Sequence, residues 1–303
     1  MNDKISHFDQ VCSLRRYTIT EGEAAGLDVI DCDTGRIRFL LNVTNALDMM
    51  QLYHGGQNLS FISKNGFNTR RGSFAGRYEG GMLYTCGLDN VGDRKGFEVH
   101  GPLHLTPARI TLMRCDEQGI TIEAEIKSGE LFGKDLLLKR RYFAPVMGDF
   151  VTLEDTLINV GYTPAEYCIL YHVNAGYPLL DEGATLKIDG ECTPRTPWAA
   201  ENICNVRNVI APDPARLETC YFWKLNAPAI TLSNKKLGKA LTLTYSADTL
   251  PHFVQWQSMA SGDYALGIEP TTTLLDDRFA YCKLEVAGEV KFALRWSIDT
   301  VTG

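Results

Sequence analysis

The segment "GITIEAEIKSG", residues 119–129, alternates Ile120, Ile122, Ala124 and Ile126 with Thr121, Glu123 and Glu125. Alternation with a period of two puts apolar side chains on one face and polar ones on the other. That is the pattern of an antiparallel strand with one face buried. Similar patterns, rich in β-branched and aromatic residues and broken by Gly, Pro, Asn and Asp, return along the chain. They occur in "DLLLKRRYF" (135–143), "FVTLEDTLINV" (150–160), "EYCILYHVNAG" (166–176), "PAITLSN" (228–234) and "ALTLTYSA" (240–247). They continue in "HFVQWQSMA" (252–260), "YALGIEP" (264–270), "YCKLEVAG" (281–288) and "VKFALRWSID" (290–299). Many short strands at this spacing predict an all-β sandwich or barrel. Helical pattern is scarce: "NALDMMQLYH" (45–54) predicts one short helix with Leu47, Met50 and Leu52 on a face. The Pro-bearing stretch "TPRTPWAAENICNVRNVIAPDPARLE" (193–218) predicts a long excursion between strands, folded over one edge.

A chain of 303 residues can bury a large core, and large all-β domains reach this length. Its net charge of -7 argues against binding a phosphate backbone, which needs a basic face. No stretch approaches the ~18 apolar residues of a membrane span, and the first residues lack an apolar run of signal-peptide length. The nine cysteines form no CxxC pair and no regular framework. Together these features predict reduced thiols and a cytoplasmic protein. Cys and His show no metal-ligand spacing, so no metal is expected.

The unusual residue is His172, in the middle of "CILYHVNAGYPLL" (168–180). An imidazole in an apolar run must find a partner or do chemistry. A satisfied core histidine is the plainer reading of any one such residue. Glu269, in "ALGIEPTT" (265–272), poses the same question. Pro270 forces it into extended backbone, and a glutamate ending an apolar strand is costly to bury unless paired. His100 and His104 flank a Gly-Pro turn, where a histidine can serve a site or cap the turn. Taken together, His172 and Glu269 form a candidate acid–base pair in a cleft rimmed by aromatic side chains and arginines. Such clefts suit sugars, whose C–H faces stack and whose hydroxyls need donors and acceptors. Trp256, Tyr78, Phe74 and Tyr177 are candidate stacking surfaces, and Arg70 and Arg71 raise a sugar-phosphate variant.

Four segments, in order, carry a resemblance: "AGRYEGG" (75–81), "VHGPLH" (99–104), "YHVNAGYP" (171–178) and "GIEPTT" (267–272). In them the chain resembles the aldose 1-epimerase (galactose mutarotase-like) superfamily, and more closely its uncharacterised branch, a domain of unknown function. The resemblance runs from about residue 30 to the end. It implies one galactose mutarotase-like domain over residues 1–303, a β-supersandwich of large twisted antiparallel sheets with a sugar cleft on a concave face. It implies His172 as general acid, Glu269 as general base, and His100 and Arg77 as substrate-binding groups. No cofactor is implied, and the expected partner is a small-molecule sugar, with a homodimer left open. The family's second Arg and its Asn are absent from "GRYEGG", and Asn174 follows His172 by only two residues. The family's substrate-binding aspartate has several candidate replacements: Asp181, Asp89 and Asp263, or Gln255 and Gln257, which alternate onto a shared face. The resulting expectation is a mutarotase whose imidazole and carboxylate flank a bound pyranose from opposite sides. A non-catalytic sugar-binding protein is the alternative, and a lyase or hydrolase ranks third.

Overall fold

A computed structural model describes residues 3–301. The first strands are β1 (Ser13–Thr18), β2 (Asp28–Asp33), β3 (Ile37–Asn42), β4 (Asp48–His54), β5 (Gln57–Asn58) and β6 (Leu83–Leu88). Four long strands and their successor follow: β7 (Ala108–Asp116), β8 (Gly119–Gly129), β9 (Asp135–Pro145), β10 (Phe150–Asn159) and β11 (Ala165–Ala175). Next come β12 (Thr185–Lys187), β13 (Gly190–Pro194), β14 (Thr219–Leu225), β15 (Ala229–Asn234) and β16 (Lys239–Tyr245). The chain closes with β17 (His252–Ala260), β18 (Asp263–Thr271), β19 (Cys282–Leu284) and β20 (Glu289–Thr300). Helix is confined to short turns, including α1 (Phe74–Arg77) and α2 (Pro197–Glu201).

These strands make three antiparallel sheets. Strands β1 to β5 form the first in chain order. The second runs β12-β15-β16-β20-β10-β9-β8-β7. The third runs β13-β14-β17-β18-β11-β19, with β6 also paired to β11. The alternation read from the sequence is the cause: β9, β10 and much of β20 bury every second residue and leave the others half-buried or exposed. The buried halves of all three sheets meet in one apolar core that includes Phe39, Tyr142, Tyr171, Phe253 and Trp296. The architecture is the expected all-β assembly of large antiparallel sheets. No helix among the described residues is long and apolar enough to cross a membrane.

One expected element is corrected. Residues 45–54 are not a helix; most of them form β4, between β3 and β5. Asp48 to Met50 and Leu52 are all buried, so the period of two is erased and the run resembles one helical face. Strand pairing with β3 then overrides the weak helical preference. The Pro-bearing excursion does leave the strands, and it carries α2, whose start is set by Thr196 capping Ala199 and by Pro197 in the first turn.

A buried charge ties the sheets together. Arg140 of β9 donates to both carboxylate oxygens of Asp155 on β10, at 2.9 and 2.7 Å. It also donates to Ala46 O at 2.9 Å, Asp48 Oδ1 at 2.6 Å and Thr85 Oγ1 at 3.0 Å. Tyr171 of β11 donates to the same Asp155 at 2.8 Å. Removing the cation would leave two buried carboxylates without it, a loss that costs about 3–5 kcal/mol. We therefore expect R140M to lose stability of that order in urea unfolding at neutral pH. R140K, which keeps the charge but not the planar five-donor fork, should fall between R140M and the parent.

Candidate active site

Strands β11 and β18 lie inside the third sheet and are buried on both faces along most of their length. One face of β11 (Ile169, Tyr171, Val173) enters the main core. The other carries His172 and Asn174, because residues two apart share a side. On β18 the same division sends Leu266 and Ile268 to the core and leaves Gly267 and Glu269 opposite. The register, Leu170 opposite Thr271 and Val173 opposite Ile268, sets His172 directly across from Glu269. His172 Nε2 and Glu269 Oε1 are 3.2 Å apart. Yet Glu269 Oε1 and His172 Nδ1 are both buried without a hydrogen-bond partner among the described residues.

The pair forms part of the floor of a cavity of about 510 Å³, within the range of small-molecule sites. Its apolar wall includes Phe61, Phe74, Tyr78, Val99 and Trp256, and its polar groups include Lys64, Asn65, His100, Arg195, Glu218 and Asp263. Burial pushes the Glu269 carboxyl well above the usual carboxylate range, with Glu218 adding to the rise and Arg195 opposing it. Burial, with help from His100, pushes His172 well below the usual imidazole value. Burial thus favours the uncharged form of each group. The expected pair was an imidazolium facing a carboxylate; burial acts against both of those charges.

A second histidine frames the cavity. His100 sits at φ +64, a left-handed conformation that is rare for a bulky side chain. Its Nδ1 accepts from the Gly92 amide at 3.2 Å. Its ring meets His172 edge-on, with centroids 5.5 Å apart. Burial, aided by Arg77 and Arg195, lowers it to about 4, so it too is neutral. Across the floor, Trp256 lies 5.6 Å from the His172 ring, and its indole nitrogen donates to Glu218 at 2.7 Å.

A family model described as "Domain of unknown function (DUF4432)" matches residues 24–283. The chain belongs to this family. A comparison with curated proteins gives no match. Among solved structures, a candidate aldose 1-epimerase from Klebsiella pneumoniae superposes with a TM-score of 0.84 at 19% identity, covering 96% of this chain and 85% of that one. A galactose mutarotase-like protein from Clostridium acetobutylicum gives 0.71 at 13% identity, covering 96% and 100%. A galactose mutarotase related enzyme from Lactobacillus acidophilus gives 0.63 at 12% identity, covering 95% and 98%. At such identities the likeness establishes the fold, which is galactose mutarotase-like.

In this DUF4432 chain the other expected site residues divide. Asn174 is fully buried and holds Tyr78, whose hydroxyl donates to its Oδ1 at 3.0 Å, while its amide donates to Gly81 O and His172 O. Arg77 lies beneath the cavity rather than in it, buried between Tyr84 Oη at 2.8 Å and Glu98. Gln255 and Gln257 share a face, but the wrong one. They point away from the cavity and both donate to Val206 O, at 2.7 and 3.2 Å, while Trp256 and Ser258 take the cavity side. Asp181 is also outside the cavity, beside Lys236 at 3.7 Å. Of the other aspartates, Asp263 lines the rim, 2.7 Å from Lys64, and Asp89 is paired with Lys134 instead. Tyr177 is exposed and Arg70 is bound to Glu23 on the surface. The residues the sequence reading missed include Lys64, Asn65 and Asp93, with Cys220 and Ser258, and above all Arg195 and Glu218 at the two ends of the Pro-bearing excursion. The paired carboxylate and imidazole touch, from adjacent strands and on one face of the sheet.

His104 is placed outside the cavity, between Asp48 at 2.6 Å and Glu79 at 3.3 Å, and stacks on Tyr84 with centroids 3.7 Å apart. Burial alone would lower it, but the hydrogen bonds to the two carboxylates win and raise it to about 8. A folded value above the ordinary 6.5 means its stabilisation is full below 6.5 and is lost as pH rises through 8. We expect the unfolding free energy from urea titration to fall between pH 6.5 and pH 9, by on the order of 2 kcal/mol, with the midpoint falling accordingly. H104N should show a lower midpoint and lose most of that dependence. An unchanged slope in H104N would assign the titration to another group.

Proposed function

We propose that the protein is an aldose 1-epimerase that interconverts the anomers of a free sugar by acid–base opening of the ring. The observation that carries this reading is the His172–Glu269 contact of 3.2 Å on the floor of the cavity. Mutarotation removes the proton of the anomeric hydroxyl and delivers one to the ring oxygen. The ring opens, the aldehyde turns about the C1–C2 bond, and closure on the other face gives the other anomer. Both oxygens that exchange protons sit on one carbon, so an acid and a base that touch each other can reach both. A protonated carboxyl beside a neutral imidazole can give a proton to one oxygen while the imidazole takes one from the other, without net charge entering the floor. No metal or cofactor is needed for that exchange. The unpartnered Glu269 Oε1 and His172 Nδ1 are the buried polar atoms that a hydroxylated ligand would satisfy.

The lining supports a neutral sugar over a sugar phosphate. Arg195 and Lys64 are the lining cations, and Lys64 is already paired with Asp263. Asp93, Glu218 and Asp263 add three carboxylates, which accept from hydroxyls but repel phosphate. Trp256, held by Glu218, offers a ring face to sugar C–H groups.

Well-placed general acid and base groups each contribute about 10²–10⁴-fold. E269Q and H172N should each lower kcat by at least the smaller of these factors with the fold intact. Anomer exchange followed by NMR saturation transfer over a panel of aldoses and their 6-phosphates is the measurement. Near-parental rates in either variant remove that residue from the mechanism, and a preference for the phosphates overturns the neutral-sugar reading. Burial disfavours both the doubly protonated and the proton-free pair. The profile of kcat/KM should therefore hold a broad plateau whose acid limb lies below the ordinary histidine value of 6.5. An acid limb at or above 6.5 would mean that His172 works from a solvated, charged form.

A further inference from the structure

On the cavity face of the third sheet the side chains form a grid. Tyr84, His172, Glu269, Val254 and Phe222 lie in one cross-strand row, set by the pairings of β6, β11, β18, β17 and β14. In the next row Asn174 and Trp256 stand on either side of Gly267. That row has a gap where a side chain would be, and the gap is filled from the row above. A Cβ built on Gly267 would meet Glu269 Oε1 at well under 3.0 Å, Trp256 Cβ at 3.1 Å and the Glu269 carboxyl carbon at 3.2 Å. The Glu269 side chain therefore folds back along its own strand, over Gly267.

The backbone gives no other reason for glycine here. Gly267 is not among the positive-φ glycines, and it sits in regular register with Asn174 and Trp256. Glycine inside a strand weakens it and commonly marks a close approach by another group. The group that approaches here is the carboxyl of Glu269.

We infer that Gly267 is a positioning residue, whose missing side chain lets the Glu269 carboxyl lie back along β18 and face His172. The inference rests on the acid–base reading of that pair. In G267A the new methyl displaces a side-chain end that can rotate, so the chain still folds while the carboxyl turns away from the imidazole.

The test is a pair of double-mutant cycles. For activity, G267A should lower kcat for anomerisation at least tenfold with KM changed less than threefold. In the E269Q background the same change should cost no further activity. For stability, G267A should lower the thermal midpoint in the parent but by clearly less in E269A, where the displaced group is gone. A third readout needs no substrate: the imidazole ¹⁵N shifts of His172, assigned by the loss of signal in H172N, should move in G267A. An equal loss of midpoint with and without the Glu269 carboxyl, or unmoved His172 shifts, overturns the role of Gly267. So does an undiminished further loss of activity in E269Q. If the parent protein anomerises no aldose, the functional reading falls, while the stability cycle and the ¹⁵N shifts still decide whether glycine places the carboxyl.

Discussion

A guanidinium sealed between three sheets must be answered on every nitrogen, and Arg140 is. Its donors reach Asp155 beside it, Asp48 and the Ala46 carbonyl from the first sheet, and Thr85 from β6. The desolvation cost of such a charge is repaid only by near-complete pairing, so the positions of β4, β6, β9 and β10 are specified together. The network continues outward in two directions. Through Asp155 it holds the hydroxyl of Tyr171, the residue next to His172. Through Asp48 it holds His104, on which Tyr84 stacks, and Tyr84 stands across from His172 on β6. The floor of the cavity is thus braced from behind by polar contacts, while its surface is left to apolar groups and two neutral titratable ones.

The consequence for chemistry lies in the register of β11 against β18. Cross-strand neighbours on one face stand close enough for their side chains to interact, and a slip of one residue would send either His172 or Glu269 into the core. Pairing therefore decides which residues meet. Two-sided burial acts against charge on either of them, because core behind the floor and aromatic walls above it disfavour an ion. His100, held neutral by the same burial and by the cations Arg77 and Arg195, extends that neutral polar surface across the cavity.

Much of this was legible in the sequence, and the misses have physical causes. The half-buried strands announced themselves because one face is wet: β8, β9, β10 and β20 carry the alternation that a polar outer face requires. Segment 45–54 misled because β4 buries both faces and so has no alternation to read. The same loss of period made His172 stand out, since a strand with core behind it and a cavity before it is apolar except where the cavity needs a polar group. Gln255 and Gln257 show the limit of parity arguments. Alternation states which residues share a face but not which face meets the cavity, and the excursion carbonyl of Val206 claims both amides on the other side. Arg195 and Glu218 lie where a long irregular segment leaves and rejoins the sheet. Their convergence is set by the path of that segment, which no local pattern records. Gly267 was silent because a glycine inside an apolar strand gives no sign of what approaches it until its neighbour's side chain is seen lying across it.

The touching of the pair, where opposed groups were expected, separates the reactions this fold could house. Cleavage of a glycosidic bond by two carboxyls needs them about 5 Å apart for a covalent route or about 6.5–9.5 Å apart to admit water, with the sugar between. Here the partner of Glu269 is an imidazole at 3.2 Å on the adjacent strand, and nothing the size of a ring can lie between them. Anomeric exchange makes the opposite demand. The two oxygens that exchange protons share a carbon, so an acid and a base standing side by side can serve both. A cross-strand pair on a sheet floor meets that demand by construction: two adjacent strands, one face, and a spacing set by the backbone ladder.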